Sequence, residues 1–178
     1  MAMLRRTLRE QIFKLLFRVE FLPGDQMKKQ EEMFFDSGDQ TYSEEDRKEI
    51  SDKFEKILQE LPEIDRMIAE KTEGWGIDRI GKVELTILRL ALYEMKEDDT
   101  VPEKVAINEA VELAKKFGQD DSPAFVNAIL SKFTEEGEKE APVRDKKEAL
   151  RREEKEKLAK ERSGGAEVHI VSSRKTKD

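Results

Sequence analysis

In the stretch "RRTLREQIFKLLF", four side chains share one side of a helical wheel. Turning 100 degrees per residue, Arg6, Arg9, Phe13 and Phe17 fall together, away from the aliphatic residues, at spacings of three, four and four. Cations interleaved with rings suit single-stranded nucleic acid. Guanidinium groups neutralise phosphates, and each ring stacks on an exposed base for roughly 1–3 kcal/mol. The same spacing suits a helix buried on two sides, with both phenylalanines in the core and the arginines flanking them. A second candidate corner lies in "GQDDSPAFVNAIL". There Phe125 sits about 90 degrees off the apolar stripe of its own helix, beside Asn127 and just past Asp120 and Asp121. A helix start offers free N–H groups to anions or carbonyls. Equally, the aspartates favour the helix dipole and Phe125 caps a second packing surface.

Enzyme chemistry finds little to use here. Cysteine is absent, and the only histidine, His169, falls near the C-terminus. That removes thiol catalysis and thiolate metal sites, and argues against a histidine-based centre. No glycine-rich phosphate loop or G-x-S-x-G elbow occurs. Carboxylate pairs such as Glu109 with Glu112 are too common in so acidic a chain to mark a general acid or base. The expectation is a protein without catalytic residues, cofactor or metal.

The elements that must position these residues read as helices. Leu4, Leu8, Ile12, Leu15 and Val19 form a core stripe that Pro23-Gly24 ends. A helix follows near Gln26 to Phe35, then the polar loop "DSGDQTYSEED". Ser43 with Asp46 predicts an N-cap for a helix through Ile50, Phe54, Ile57, Leu58 and Leu61. Pro62 is expected to break that helix, with "EIDRMIAEKTE" forming another, and Trp75 to anchor the loop after it. "KVELTILRLALYEMK" is apolar around nearly its whole circumference, so it belongs in the middle of a bundle. Arg89 and Glu94 interrupt it and are expected to pair with polar neighbours or reach the surface. Pro102 opens the next helix and Gly118 closes it as a C′ residue. Ser122 and Pro123 are expected as N-cap and first residue of the last core helix.

A length of 178 residues suits one domain plus a tail. The formal charge of -7 is an average over unlike parts. From Glu138 onward 13 Lys and Arg face 10 Asp and Glu, a balance of +3. The rest holds 34 - 13 = 21 bases and 41 - 10 = 31 acids, or -10. Within that acidic part, Arg5, Arg6, Arg9, Lys14 and Arg18 precede Glu20 against Glu10 alone. A local basic patch is what a polyanion partner meets. The segment after Gly137 carries too little apolar surface to order itself, and is expected to be disordered or a lone helix. Its "EVHIV" could add to a partner's strand edge. No apolar run of membrane-spanning length occurs, and the lack of cysteine fits the cytoplasm.

Together, "WGIDRIGKVELTILRLALYEMK" and "VPEKVAINEAVELAKKFGQDDSPAFVNAILSKF" closely resemble the NusB family of bacterial transcription antitermination factors. The opening "RRTLREQIFKLLF" agrees in type and position, and the resemblance runs from Leu4 to Phe133. It implies an all-α fold of two packed subbundles; with the change in composition after Gly137 this gives an RNA-binding domain over residues 1–137 and a charged tail over 138–178 that lies outside the family pattern. It further implies a non-catalytic role. The protein would pair with NusE, a small-subunit ribosomal protein, and bind boxA RNA of rRNA operon leaders within the RNA polymerase antitermination complex. By position, Arg5, Arg6, Arg9 and Phe17 match one wall of the family's RNA site, and Asp121, Phe125 and Asn127 the other. Glu84 matches a position facing NusE. Pro123 and Ala124 replace polar or basic residues common in that loop, and "FVNA" stands for the usual "FVNG". Two alternatives remain open at this point. One is an RNA-binding accessory related to the N-terminal domain of rRNA cytosine methyltransferases, though about forty-five residues after Phe133 are too few for their catalytic domain. The other is a homodimer or larger homo-oligomer that hides the arginine face.

Overall fold

A computed structural model describes residues 3–38, 40–72, 76–134, 151 and 153–159. The chain divides into two compact units, Met1–Glu135 and Glu136–Asp178. In the second, residues 153–159 are helical with exposed side chains. Too few apolar groups occur there to bury a face. "EVHIV", Trp75 and the expected boundary after Gly137 lie outside the described residues.

The first unit is built from α1 (Arg5–Phe17), α2 (Met27–Asp36), α3 (Glu44–Lys71), α4 (Lys82–Glu97), α5 (Glu103–Phe117) and α6 (Ser122–Ser131). Short 3₁₀ turns at Arg18–Glu20, Gly24–Gln26 and Ile77–Arg79 link them, and no strand occurs among the described residues. The helix apolar on all sides is indeed central: Ile87, Leu88 and Leu92 of α4 are fully buried. On one side α1 and α3 pack against it, with α2 joined to α1; on the other, α5 and α6 close a second group. The two subbundles therefore share α4. Each fully buried Leu or Ile contributes about 1.5–3 kcal/mol.

Three local expectations change. Pro62 does not break its helix: α3 runs unbroken for 28 residues. Pro62 is exposed, so the carbonyl it leaves unpaired one turn earlier faces water. On the opposite side Ile57, Ile64 and Ile68 keep the apolar stripe buried across it. Ser122 lies one position inside α6, and Asp121 takes the N-cap place. The Ser122 hydroxyl instead accepts from the Gln119 amide at 2.8 Å. Gly118 is extended (φ -93°), not left-handed. Glycine is needed there for space, since a Cβ would lie 2.6 Å from the Ser122 side chain and 2.8 Å from the Ala114 carbonyl.

The start of α3 is a capping box, as the sequence predicts. The Ser43 hydroxyl accepts from the Asp46 amide at 3.0 Å, and the Asp46 carboxylate accepts from the Ser43 amide at 3.4 Å. The same carboxylate accepts from the Met3 amide at 3.2 Å, tying the chain's start to α3. The Ser43 interaction first, then these amides, hold its pKa below the ordinary 3.8 against the opposing effect of burial. Ser43→Ala is expected to cost about 1 kcal/mol in denaturant unfolding. A carboxylate depressed in the native state stabilises fully above its unfolded pKa and loses that effect as pH falls through the native value. Asp46→Asn should therefore flatten the loss of stability below about pH 4. An unchanged acid limb would contradict this linkage.

Candidate nucleic-acid interface

The three N-terminal arginines point to three different places. Arg5, exposed, pairs with Glu49 of α3. It borders a cleft of about 810 Å³ whose walls carry both signs, Lys48 and Lys53 against Glu45 and Asp52. Arg6 leans onto α5, where Nε and Nη2 donate to the Glu109 carboxylate at 3.1 and 2.9 Å. Its side chain remains 67 % exposed.

Arg9 turns inward and is only 11 % exposed. Its Nε and Nη2 donate to Glu94 of α4 at 2.9 and 2.8 Å, and Nη1 lies 3.7 Å from Glu109. Burial would lower its pKa, but the Glu94 carboxylate outweighs burial and keeps the guanidinium charged. Glu94 is 1 % exposed and also meets Lys53 at 3.6 Å. Arg9 is thus held inside the protein as a structural cation, unlike exposed Arg5 and Arg6.

The rings divide as well. Phe13 is buried (3 %), so for it the core reading is the right one. Its ring lies 5.0 Å from Phe117 at the end of α5 and 6.2 Å from Phe17. Phe17 is half-buried and meets Phe21 edge-on at 5.0 Å; Phe21 is 56 % exposed. Lys14 and Lys116 hold their ammonium groups 6.0 and 5.5 Å from the Phe117 ring, and Lys82 sits 4.4 Å from that of Phe21. Glu10 bridges the first two, 2.8 Å from Lys116 and 3.5 Å from Lys14. A seam of cations and part-exposed rings therefore runs along α1 and the end of α5. Phe117, Lys116 and Lys82 were not singled out from sequence, because their adjacency to this surface is purely tertiary; Phe21, four residues past Phe17, was also not singled out.

At the start of α6, Asp121 and Asn127 are exposed and Phe125 is half-buried against the core. Among the described residues no ring contact joins Phe125 to Phe17. Glu84 is only half-buried on α4, and its carboxylate accepts from the buried Ser122 hydroxyl. The hydrogen bond joins the starts of α4 and α6.

Fold and seam define an all-α, two-subbundle domain with no cluster of metal-ligating side chains and no helix long and apolar enough to cross a membrane among the described residues. The family model described as "NusB family" matches residues 6–135. A "Transcription antitermination protein NusB" of Agathobacter rectalis is 47 % identical over 131 residues, 74 % of this chain and 99 % of that protein. One of Lachnoclostridium phytofermentans is 47 % identical over 73 % of this chain and 98 % of its own length. Among solved structures, T. maritima NusB superposes with a TM-score of 0.67 at 31 % identity, covering 83 % of this chain and 99 % of that one. Antitermination factors NusB and NusE in complex with dsRNA include a chain that matches with a TM-score of 0.58 at 25 % identity, over 71 % of this chain and 92 % of that one. The chain belongs to the NusB family, whose role is in transcription antitermination and not in catalysis.

If Arg9 is structural, Arg9→Ala should lower stability by about 3–5 kcal/mol, because Glu94 loses its main partner inside the protein. Arg6→Ala, at an exposed position, should leave stability nearly unchanged. Equal stability of the two variants in urea unfolding would reject the distinction.

Proposed function

We propose that this chain binds boxA RNA of rRNA operon leaders together with NusE, in the cytoplasm, as part of the RNA polymerase antitermination complex. The observation that carries the proposal is the seam. Lys14 and Lys116 line the part-exposed ring of Phe117 and Lys82 that of Phe21, which meets Phe17, while exposed Arg6 stands further back on α1, the combination of phosphate neutralisation and stacking that single-stranded RNA uses. The likeness to a NusB chain solved with NusE and RNA supports it.

Within this reading Arg6 meets phosphate and Arg5 adds charge at the rim. Arg9 acts mainly by holding α1 against α4. Phe17 supplies stacking on one wall, with Phe125, Asp121 and Asn127 on the other. Glu84 contributes to the NusE face by fixing the α4–α6 corner. The basic segment 138–178, a tail to the RNA-binding domain 1–137, adds sequence-independent affinity that weakens with salt.

A titration of boxA RNA and a scrambled RNA, with and without NusE, tests this directly. Selective binding strengthened by NusE is expected. Equal, weak binding to both RNAs, indifferent to NusE, would refute it. Arg6→Ala should lower the slope of log affinity against log salt by about one. Phe17→Ala and Phe125→Ala should each cost roughly 1–3 kcal/mol with the slope unchanged. Glu84→Lys should weaken NusE pairing while Glu84→Gln, able to keep the Ser122 contact, should not. Equal NusE affinity in both variants would remove Glu84 from that interface.

A further inference from the structure

We infer that Glu109, the acidic residue of α5 that grips Arg6, is a positioning residue that presents Arg6 to an RNA phosphate. The inference rests on the RNA-binding reading above. A guanidinium has two edges able to grip an anion in bidentate fashion, Nε with Nη2 and Nη1 with Nη2. Glu109 takes the first edge of Arg6 at 3.1 and 2.9 Å, and among the described residues nothing takes Nη1. The second edge is left to an outside anion, on a side chain that is 67 % exposed.

The carboxylate that holds Arg6 is itself held. Its side chain is 16 % exposed, and Nη1 of the structural Arg9 stands 3.7 Å from Oε2. The chain of contacts runs from buried Glu94 through Arg9 and Glu109 to Arg6. An arginine anchored in this way loses less rotamer freedom on gripping a phosphate than a free one does. The hydrogen bond from Arg6 and the nearby Glu109 carboxylate raise the guanidinium's pKa still further, with Glu112 adding a smaller push. The phosphate and the carboxylate would sit on different edges of one guanidinium, so neither displaces the other. Their mutual repulsion across an exposed site is screened by salt.

This predicts a sign opposite to bulk electrostatics. Removing a negative charge from an RNA-binding face should tighten binding if charge alone matters. If Glu109 positions Arg6, Glu109→Gln should instead weaken boxA RNA binding roughly three- to tenfold at about 0.15 M salt. Scrambled RNA should be bound as before or slightly better, so selectivity falls. The test is a double-mutant cycle on the full chain with NusE, using wild type, Arg6→Ala, Glu109→Gln and the double variant, each checked for an unchanged thermal midpoint. In the Arg6→Ala background the Glu109→Gln effect should vanish. Tighter binding of both RNAs by Glu109→Gln would overturn the inference, as would an equal loss with and without Arg6. Should wild type bind neither RNA, the functional reading fails, and the positioning role is decided by the Arg6 Nε–H signal in an NMR titration with inorganic phosphate. A phosphate-dependent shift present in wild type and lost in Glu109→Gln supports it. No shift in wild type overturns it.

Discussion

The Glu94 carboxylate lies in the central, most deeply buried of the described helices, α4, with 1 % of its surface exposed. It is gripped by Arg9 from α1 at 2.8 and 2.9 Å and met by Lys53 from α3 at 3.6 Å. Lys53 also reaches Asp98 at 3.3 Å, just past the end of α4. Burial would push the Asp98 carboxyl up, but the Thr100 hydroxyl and Lys53 hold it below its ordinary value. Arg89, on another face of α4, joins Asp65 of α3 at 2.8 Å and Glu20 in the turn after α1. Both junctions of the N-terminal subbundle with the central helix therefore contain buried ion pairs. An apolar stripe tolerates a shift of one helix along another. A buried ion pair does not, because each displaced charge would be left in the interior without a partner.

That constraint determines what the candidate face can present. The register of α1 places Phe13 against Phe117 and Glu10 against Lys116, so the ends of α1 and α5 merge into one surface. Phe13 is spent on the core, and its burial supports the part-exposed rings of Phe17 and Phe117 beside it. Two further contacts fix the far corner: Glu84 receives the Ser122 hydroxyl, and Gly118 lets α5 turn into α6 at close range. The corner carrying Asp121, Phe125 and Asn127 is thus anchored to the start of α4.

Much of the fold was readable because its signals are local. The capping box at Ser43, the helix opened at Pro102 and the all-round apolar α4 each follow from residues within a few positions of one another. The errors were also local rules overridden by context. Pro62 is tolerated because it faces water, while the buried side of α3 carries enough isoleucine to hold the helix together. Gly118 ends α5 for reasons of space between two chain segments, which a backbone-conformation rule does not contain.

For the candidate face the division is sharper. From sequence alone came an all-helical domain, a basic and aromatic side to the first helix, and a close family resemblance with the non-catalytic role it implies. Periodicity, composition and motif order suffice for these, since each depends on residue type and spacing along one chain. Only the tertiary structure separated Arg5, Arg6 and Arg9, which look alike in a basic run yet end on α3, α5 and α4. It alone brought Lys116 and Phe117 beside α1 and seated Glu109 behind Arg6. Whether an arginine is a ligand or a strut depends on which carboxylate another helix delivers to it, and that is decided by packing across about a hundred residues of sequence separation.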